Sequence, residues 1–322
     1  MLTSILLAMT IQATPACDCP YADVPIVGHR GSGNSTASNP FAENTVPSVR
    51  NAYEEGAEWA EVDVHLTADN VVVAHHDFTL GHTVHDREGC IVDKPWSALE
   101  DADATKNSGA EPGSARIPTL DEVLEVALEM DRKVMVELKV DMPGSCDIDY
   151  EALVDETVAV IRDEGATEHV MLISFSFEAL EYAWTVAPEL PLGFLALDPA
   201  MADAAVDAGF TSVNPHFATL VGPENATLAE LKEKDILVIP WTVNGADHMA
   251  TLLQGGVDGL ITDEVALALS VRQEQCEQYV CPAMPEVEAT GGCATAPQGA
   301  APVLPVLAAF AWLFLRRRAP EA

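Results

Sequence analysis

The chain has 322 residues, of which 48% are hydrophobic and 21% are charged, so it can bury a large core and is not mainly disordered. Its 51 acidic residues outnumber 16 basic ones, which gives a formal net charge of −35 at pH 7. This charge excludes an extended surface for nucleic acid or anionic lipid. Any anionic ligand must therefore be held by a few local cations.

Residues 1–16 have the pattern of a secretory signal peptide. An apolar stretch follows Met1, and the small residues Ala13 and Ala16 precede Cys17, although no basic residue precedes the apolar stretch. A lipoprotein signal ending at Cys17 is the alternative. We therefore expect an exported protein whose folded part begins at about residue 17.

From residue 25 to residue 271, short apolar runs alternate with amphipathic stretches. Eight runs have strand character: 25–28, 59–64, 133–138, 170–174, 192–197, 210–213, 236–241 and 259–262. Eight strands alternating with helices over this length predict an α/β fold, a TIM (β/α)8 barrel spanning 17–272, with a doubly wound open sheet as the alternative.

Two stretches interrupt the alternation. Residues 81–116 are rich in Gly, Pro, Asp and Ser, and they predict a small insertion after the second strand, lying over one end of the barrel. A helix is then expected to restart after Thr119, because Glu122 follows three residues later in a capping-box pattern. Residues 273–298 have the composition of a linker.

The seven cysteines fit an oxidising compartment if one of them, Cys293, is set aside for processing. The other six are Cys17, Cys19, Cys90, Cys146, Cys276 and Cys281. Six cysteines allow fifteen pairings. We favour disulfides between the first two and the last two, because a closed barrel brings its first strand and last helix together, and this leaves Cys90 to pair with Cys146.

Three carboxylates indicate a metal site. Glu61 and Asp63 are two residues apart in a predicted strand, so they share one face, and burying both would be costly without a cation between them. Glu137, at the end of the next strand, can supply a third oxygen. An all-oxygen set predicts Mg²⁺ or Ca²⁺ rather than zinc.

Two histidines indicate acid–base chemistry. His29 follows the first apolar run and His76 follows the apolar residues 71–73, so both are expected at carboxyl ends of strands, where barrel active sites lie. Histidine can take up or release a proton near neutral pH, so one of the two can act as base and the other as acid. Arg30 and Lys139 would supply the positive charge that a phosphate needs.

The order of these motifs resembles that of the glycerophosphodiester phosphodiesterase family. The shared motifs are His29-Arg30-Gly31, Glu43-Asn44-Thr45, Glu61-x-Asp63, His76-Asp77, Ile117-Pro118-Thr119-Leu120, Glu137-Leu138-Lys139, Trp241-Thr242-Val243-Asn244 and residues 256–263. The resemblance implies a TIM barrel that hydrolyses glycerophosphodiesters to glycerol 3-phosphate and an alcohol.

The resemblance also implies roles for individual residues. His29 and His76 would be the acid–base pair, and Arg30 and Lys139 would hold the phosphate. The divalent cation would be bound by Glu61, Asp63 and Glu137. Attack on phosphorus by the glycerol 2-hydroxyl and direct attack by water both remain open.

The identity of the released alcohol is less well indicated. The loop 31–36 and the segment 76–80 are similar to the branch that includes glycerophosphocholine phosphodiesterases, which predicts a choline headgroup. Trp241 either offers its ring face to the quaternary ammonium or packs the barrel mouth. Alternatives are phospholipase-D-like activity on a lysophospholipid or sphingolipid, which would favour an apolar rim near the insertion, and a non-catalytic surface binding barrel.

Residues 299–322 contain a short apolar run that ends in Arg316-Arg317-Arg318, and Gly291-Gly292-Cys293 precedes it. This arrangement resembles the MYXO-CTERM type of bacterial sorting tail, which implies processing near the cysteine by a sorting protease. A plain membrane anchor is the alternative. Both interpretations predict a protein at the cell surface or outer membrane that touches the membrane only through this tail.

Overall fold

The computed structural model describes residues 19–140, 146–222 and 226–279. The strands in these ranges are β1 (Ile26–Gly28), β2 (Trp59–Leu66), β3 (Val72–Ala74), β4 (Lys133–Leu138), β5 (Val170–Ser174), β6 (Leu192–Ala196), β7 (Ser212–Pro215), β8 (Leu237–Val238) and β9 (Leu260–Thr262). The α-helices are α1 (Val46–Glu55), α2 (Leu120–Glu129), α3 (Tyr150–Asp163), α4 (Phe177–Val186), α5 (Ala202–Asp207), α6 (Ala226–Lys232), α7 (Ala246–Gln254) and α8 (Val265–Gln278).

All the strands except β3 are parallel and follow the order β8-β7-β6-β5-β4-β2-β1-β9. The ring closes between its ends, because Asp258 N–H donates to the Val238 carbonyl at 2.9 Å and Ile261 N–H donates to the Pro240 carbonyl at 3.0 Å. Pro240 has no N–H to donate, so on the β9 side it only accepts, from Ile261. The TIM-barrel prediction is confirmed.

Two apolar layers stabilise the barrel. The larger layer lies between the strands and the surrounding helices. The inner layer fills the barrel and consists of Val27, Trp59, Met135, Met171, Ile173, Leu195, Ile239 and Ile261. Because side chains alternate along a strand, the next inward-facing residue after each of these positions lies at the barrel mouth.

The strand before His76 is not one of the eight predicted barrel strands. Residues 72–74 form β3, which pairs antiparallel with β2, with Ala74 opposite Val64. The turn residues Asp69 and Asn70 reverse the chain, and Asn70 adopts a positive φ of 63°. His76 thus follows a strand, as expected, but this strand belongs to a local hairpin that brings His76 to the carboxyl-end face of the barrel.

The insertion lies between β3 and α2 and has an apolar cluster of its own that includes Leu80, Val84, Ile91 and Leu99. Its Gly109 N–H donates to the Asn39 carbonyl in the β1–α1 loop at 2.7 Å, which places this part of it over the carboxyl-end face of the barrel. The helix that follows begins as predicted. A capping box joins Thr119 and Glu122, with Thr119 N–H donating to Glu122 Oε2 at 3.1 Å.

Two disulfides lie within the described residues, Cys19–Cys276 and Cys90–Cys146, and both are among the favoured pairings. Cys17 and Cys281 lie outside the described residues. Helix α8 ends at Gln278, so residues 273–278, which we assigned to the linker, continue the last helix.

A search of the described ranges finds no helix long and apolar enough to cross a membrane. The predicted signal peptide at 1–16 and the tail at 299–322 are outside these ranges.

Buried His75 is expected to make the fold sensitive to acid. Its Nδ1 donates to the Asp77 carbonyl at 2.8 Å, and its Nε2 lies 2.9 Å from Thr83 Oγ1, which can donate to it when the ring is neutral. Burial lowers the pKa of His75 below its ordinary 6.5. As the pH falls, this histidine is therefore protonated in the unfolded chain before it is protonated in the folded protein. The free energy of unfolding decreases as the pH falls below about 6.5.

We expect this histidine to contribute at most about 2 kcal/mol to the loss of unfolding free energy between pH 7 and pH 5. Urea unfolding of His75→Gln should show a correspondingly weaker pH dependence than the unsubstituted protein. The exposed His248 is the matched control. An identical pH dependence in His75→Gln would contradict a neutral buried His75.

Candidate active site

The barrel mouth holds a cavity of about 200 Å³. Its charged side consists of His29, Arg30, Glu61, His76, Glu137 and Lys139, and its apolar side consists of Ile173, Phe175, Leu195, Trp241 and Ile261. Strand periodicity explains this division, since β1, β2 and β4 carry polar residues at the mouth level whereas β5, β6 and the chain after β8 carry apolar ones. Every predicted site residue except Asp63 lines the cavity.

The predicted carboxylate cluster is assembled. Asp63 lies opposite Glu137 in the parallel pairing of β2 and β4, and Glu61 precedes Asp63 by two residues on the same face. Each of the three buried residues offers one oxygen, and these oxygens lie within 4.8 Å of one another. The site thus gathers three potential negative charges inside the protein.

Glu61 is the member of the cluster with an unused atom. Its Oε2 accepts the Arg30 N–H at 2.8 Å, whereas its buried Oε1 has no hydrogen-bond partner among the described residues. Burial and repulsion from Asp63 and Glu137 raise the pKa of Glu61 well above its ordinary value. A cation at Oε1 would relieve both the missing partner and the repulsion.

Asp63, in contrast, is fully partnered. Asn44 Nδ2 donates to Asp63 Oδ2 at 2.8 Å, and Asp63 N–H donates back to Asn44 Oδ1 at 2.9 Å. Lys139 Nζ lies 3.3 Å from Oδ1 and Arg30 Nε lies 3.7 Å from Oδ2. Burial opposes its ionisation, but Lys139, His76 and Arg30 hold the pKa of Asp63 well below its ordinary value. Asp63 is therefore ionised.

Lys139 lies between two carboxylates. Its Nζ donates to Glu137 Oε1 at 2.9 Å and also reaches Asp63. Burial lowers the pKa of Lys139, but these two carboxylates outweigh burial and raise it. For Glu137, burial exceeds the effect of Lys139 and raises the pKa to about 7. Lys139 is charged and lines the cavity, as a phosphate ligand must.

Arg30 is held by Glu43, a residue of the Glu43-Asn44-Thr45 motif. Arg30 Nη1 donates to Glu43 Oε1 at 2.9 Å, and the Ser35 N–H donates to Glu43 Oε2 at 2.6 Å. Glu43 thereby orients the guanidinium and closes the loop that follows β1. It is not part of the carboxylate cluster.

Both histidines are paired with an aspartate. His29 Nδ1 lies 2.7 Å from Asp263 Oδ1, and His76 Nδ1 lies 2.7 Å from Asp77 Oδ1. Because an ionised carboxylate can only accept, each Nδ1 carries the proton and each Nε2 is available to the cavity. The hydrogen bond from His76 lowers the pKa of Asp77 to about 2.

The partner of His29 was missed by sequence reasoning. Asp263 follows Ile261 by two residues, so it continues the inward face of β9, which neighbours β1. Its other oxygen accepts from Asn244 Nδ2 at 2.6 Å. Burial opposes ionisation, but the hydrogen bond from His29 lowers the pKa of Asp263. The sequence signal that could have identified Asp263 is its position two residues after the apolar Ile261, on the same face of β9.

Replacing Asp263 with Asn should lower kcat by about 10- to 100-fold, because an amide can donate to His29 Nδ1 and favour the wrong tautomer. KM should change little. Steady-state release of glycerol 3-phosphate measures both constants, and exposed Asp247→Asn is the matched control. Unchanged kcat in Asp263→Asn would show that this carboxylate does not set the His29 tautomer.

The apolar side is built around Trp241. Its Nε1 donates to the Asn214 carbonyl at 2.8 Å, which fixes the indole. The rings of Phe175 and His216 meet it edge-on, with centroids 5.3 and 5.1 Å away. This side of the cavity offers aromatic surface but no charge.

Comparison with known proteins agrees with the site. Residues 29–267 match the model of the glycerophosphoryl diester phosphodiesterase family. A glycerophosphodiester phosphodiesterase from Caldanaerobacter subterraneus is 29% identical over 243 residues, which cover 74% of this chain and 93% of that protein. Human glycerophosphocholine phosphodiesterase is 54% identical over 56 residues, 16% of this chain and 8% of that protein.

The fold is similar to that of an Oleispira antarctica phosphodiesterase whose structure contains the product sn-glycerol-3-phosphate. The TM-score is 0.67 at 26% identity, and the match covers 79% of this chain and 99% of that one. The family model spans most of the chain, and the motif residues converge at one cavity. The chain belongs to the glycerophosphoryl diester phosphodiesterase family and is a glycerophosphodiester phosphodiesterase.

Proposed function

We propose that this enzyme releases glycerol 3-phosphate by acid–base catalysis between His29 and His76, with a divalent cation held by Glu61, Asp63 and Glu137. The observation that carries this proposal is their convergence on one cavity: two histidines oriented by aspartates face a buried carboxylate cluster and two cationic side chains. This set matches the needs of phosphodiester hydrolysis. The phosphate needs positive charge beside it, the attacking oxygen must lose a proton, and the leaving oxygen must gain one.

The donor set fits a hard cation. All three ligands are carboxylates, and the unpartnered Oε1 of Glu61 marks where a positive charge is missing. Mg²⁺ and Ca²⁺ both prefer such oxygen donors. When bound, the cation would polarise the phosphoryl group and neutralise its developing charge.

The chain's own residues account for the proton transfers. The Nε2 of one histidine takes the proton from the attacking oxygen, which belongs either to water or to the glycerol 2-hydroxyl. As the new P–O bond forms and the bond to the alcohol breaks, the other histidine gives its proton to the leaving oxygen. Attack by water gives glycerol 3-phosphate directly. Attack by the 2-hydroxyl gives a cyclic phosphodiester, which water then opens to glycerol 3-phosphate in a second step with the histidine roles reversed. Arg30 and Lys139 hold the phosphoryl oxygens in place.

We further propose choline as the preferred alcohol. The aromatic side formed by Trp241 and Phe175 suits a quaternary ammonium, which is attracted to ring faces, and the acidic surface does not repel it. The short but close similarity to human glycerophosphocholine phosphodiesterase supports this choice.

The test is glycerol 3-phosphate release from glycerophosphocholine and glycerophosphoglycerol, with Mg²⁺, Ca²⁺ or EDTA. We expect EDTA-sensitive release and a lower KM for the choline ester. Trp241→Leu should raise that KM by about 5-fold, the equivalent of about 1 kcal/mol of cation–π attraction, and leave the KM for glycerophosphoglycerol unchanged. An equal rise for both substrates would show that Trp241 only shapes the cavity.

A second candidate substrate is a single-chain lysophospholipid. Phe175, Leu197 and Met201 are exposed by 40%, 70% and 42% on the β5 and β6 side of the mouth. The lipid alternative would have favoured an apolar rim near the insertion instead, but Leu99 of the insertion is buried in the insertion's own cluster. If an acyl chain covers the rim, Leu197→Ser should slow cleavage of lysophosphatidylcholine but not of glycerophosphocholine.

We also propose that the protein is exported, processed near Cys293 and held at the cell surface through the C-terminal end that this processing forms. The pairing of cysteines in two disulfides supports an oxidising compartment. Cell fractionation with intact-mass measurement would test this. We expect loss of residues 1–16 and a chain end near Cys293; a full-length chain in the cytosol would contradict the proposal.

A further inference from the structure

The segment that carries His76 is paired with Cys90. Directly after His76, Thr79 and Cys90 face each other in an antiparallel bridge. On either side of this bridge, Ile91 N–H donates to the Phe78 carbonyl and Leu80 N–H donates to the Gly89 carbonyl, each at 3.1 Å. The position of Cys90 is therefore fixed relative to the His76 segment.

The partner cysteine lies just before helix α3. Cys146 precedes Asp149, the N-cap of α3, by three residues. The disulfide brings the Cα atoms of Cys90 and Cys146 to 5.9 Å. Cys146 Sγ also lies 3.6 Å from the Phe78 carbonyl oxygen, a contact rather than a hydrogen bond because a disulfide sulfur has no proton.

His76 has less support from the barrel than His29. The His29 side chain is 13% exposed, and its partner Asp263 is 15% exposed at the mouth of the neighbouring strand. The corresponding values for His76 and Asp77 are 31% and 33%, and both follow a hairpin strand outside the barrel ring. The backbone of His76 accepts one bond from the buried His65, whose Nε2 lies 3.3 Å from its carbonyl oxygen.

We propose that the Cys90–Cys146 disulfide is a positioning element of the active site. It ties the His76 segment to the start of α3, and it makes turnover depend on the redox state of this bond. The inference rests on the proposed function, because it takes His76 as one of the acid–base pair. Misplacement of a proton-transfer group by about 1 Å typically costs about 100-fold in rate, whereas the carboxylate cluster on β2 and β4 should be undisturbed.

The test uses full-length protein and a phosphine reductant. Opening the bond adds two electrons and two protons to give two thiols, while the phosphine becomes its oxide with oxygen from water. We expect reduction to lower kcat for glycerophosphocholine by about 10- to 100-fold. KM and the rise in melting temperature caused by Mg²⁺ or Ca²⁺ should stay nearly constant, and the pH profile of kcat should change. Reoxidation should restore the rate.

Two double variants separate this bond from the other disulfide. The Cys90→Ser/Cys146→Ser protein should have the low kcat already and should not respond to reductant or oxidant. The Cys19→Ser/Cys276→Ser protein should keep its full kcat and lose it on reduction, as the unsubstituted protein does. All rates are measured below the melting temperature of the reduced protein, determined by circular dichroism.

The inference would be overturned if the protein kept full activity once thiol titration had shown that the bond is open. So would an equal loss of kcat in the oxidised Cys19→Ser/Cys276→Ser protein, because the effect would then be general stability. Absence of activity in the oxidised, metal-loaded, unsubstituted protein would instead refute the proposed function, so the two failures are distinguishable.

Discussion

His29→Ala is expected to lose about 100- to 10,000-fold in kcat for glycerophosphodiester hydrolysis. His29 lines the cavity, and Asp263 at 2.7 Å holds the proton on Nδ1, so Nε2 is directed to proton transfer. Alanine removes this group and leaves the carboxylate cluster in place. The KM should therefore change much less than kcat, as measured by glycerol 3-phosphate release under saturating metal.

His169→Ala is the control for this prediction. His169 precedes β5 at the opposite end of the barrel, so its removal should leave kcat within about twofold of the unsubstituted value. His76→Ala should show a loss similar to that of His29→Ala. Retention of most of the activity by either active-site variant would refute the acid–base assignment.

Glu61→Gln is expected to lower metal-dependent turnover by about 1000-fold. This corresponds to a loss of about 4 kcal/mol of transition-state stabilisation. The amide can still accept from the Arg30 N–H, but it removes one of three charges from the cluster. A weakened site would bind Mg²⁺ or Ca²⁺ poorly. The rise in melting temperature that these ions cause by binding the folded state should disappear.

The same substitution should have the opposite effect without metal. Because burial and two neighbouring carboxylates raise the pKa of Glu61, the carboxylate is destabilising when no cation is present. In EDTA, Glu61→Gln should melt at or above the temperature of the unsubstituted protein. Exposed Glu264→Gln controls for net charge. A metal-induced rise that persists in Glu61→Gln would place the cation elsewhere.

The carboxylate cluster could be predicted because its geometry follows from local rules. Glu61 and Asp63 share a face through the two-residue period of a strand, and Glu137 belongs to the next parallel strand of an alternating α/β chain. The hairpin that leads to His76 could not be predicted in the same way. Residues 72–74 have strand character in either arrangement, and only their pairing with β2 shows that they form a hairpin rather than part of the ring.

The sequence by itself indicated the barrel and the side-chain types of the site, because apolar periodicity and motif order act over short stretches of chain. It favoured the pairing of Cys90 with Cys146 but did not decide which of the last two cysteines pairs with Cys19. Only the tertiary structure decided that Asp263 orients His29, that Glu43 holds Arg30 and that an apolar rim lies on the β5 and β6 side. His29 and Asp263 are 234 residues apart, and they meet because ring closure places β9 beside β1. Such contacts depend on strand order and register, which are settled by the packing of the whole barrel rather than by any local pattern.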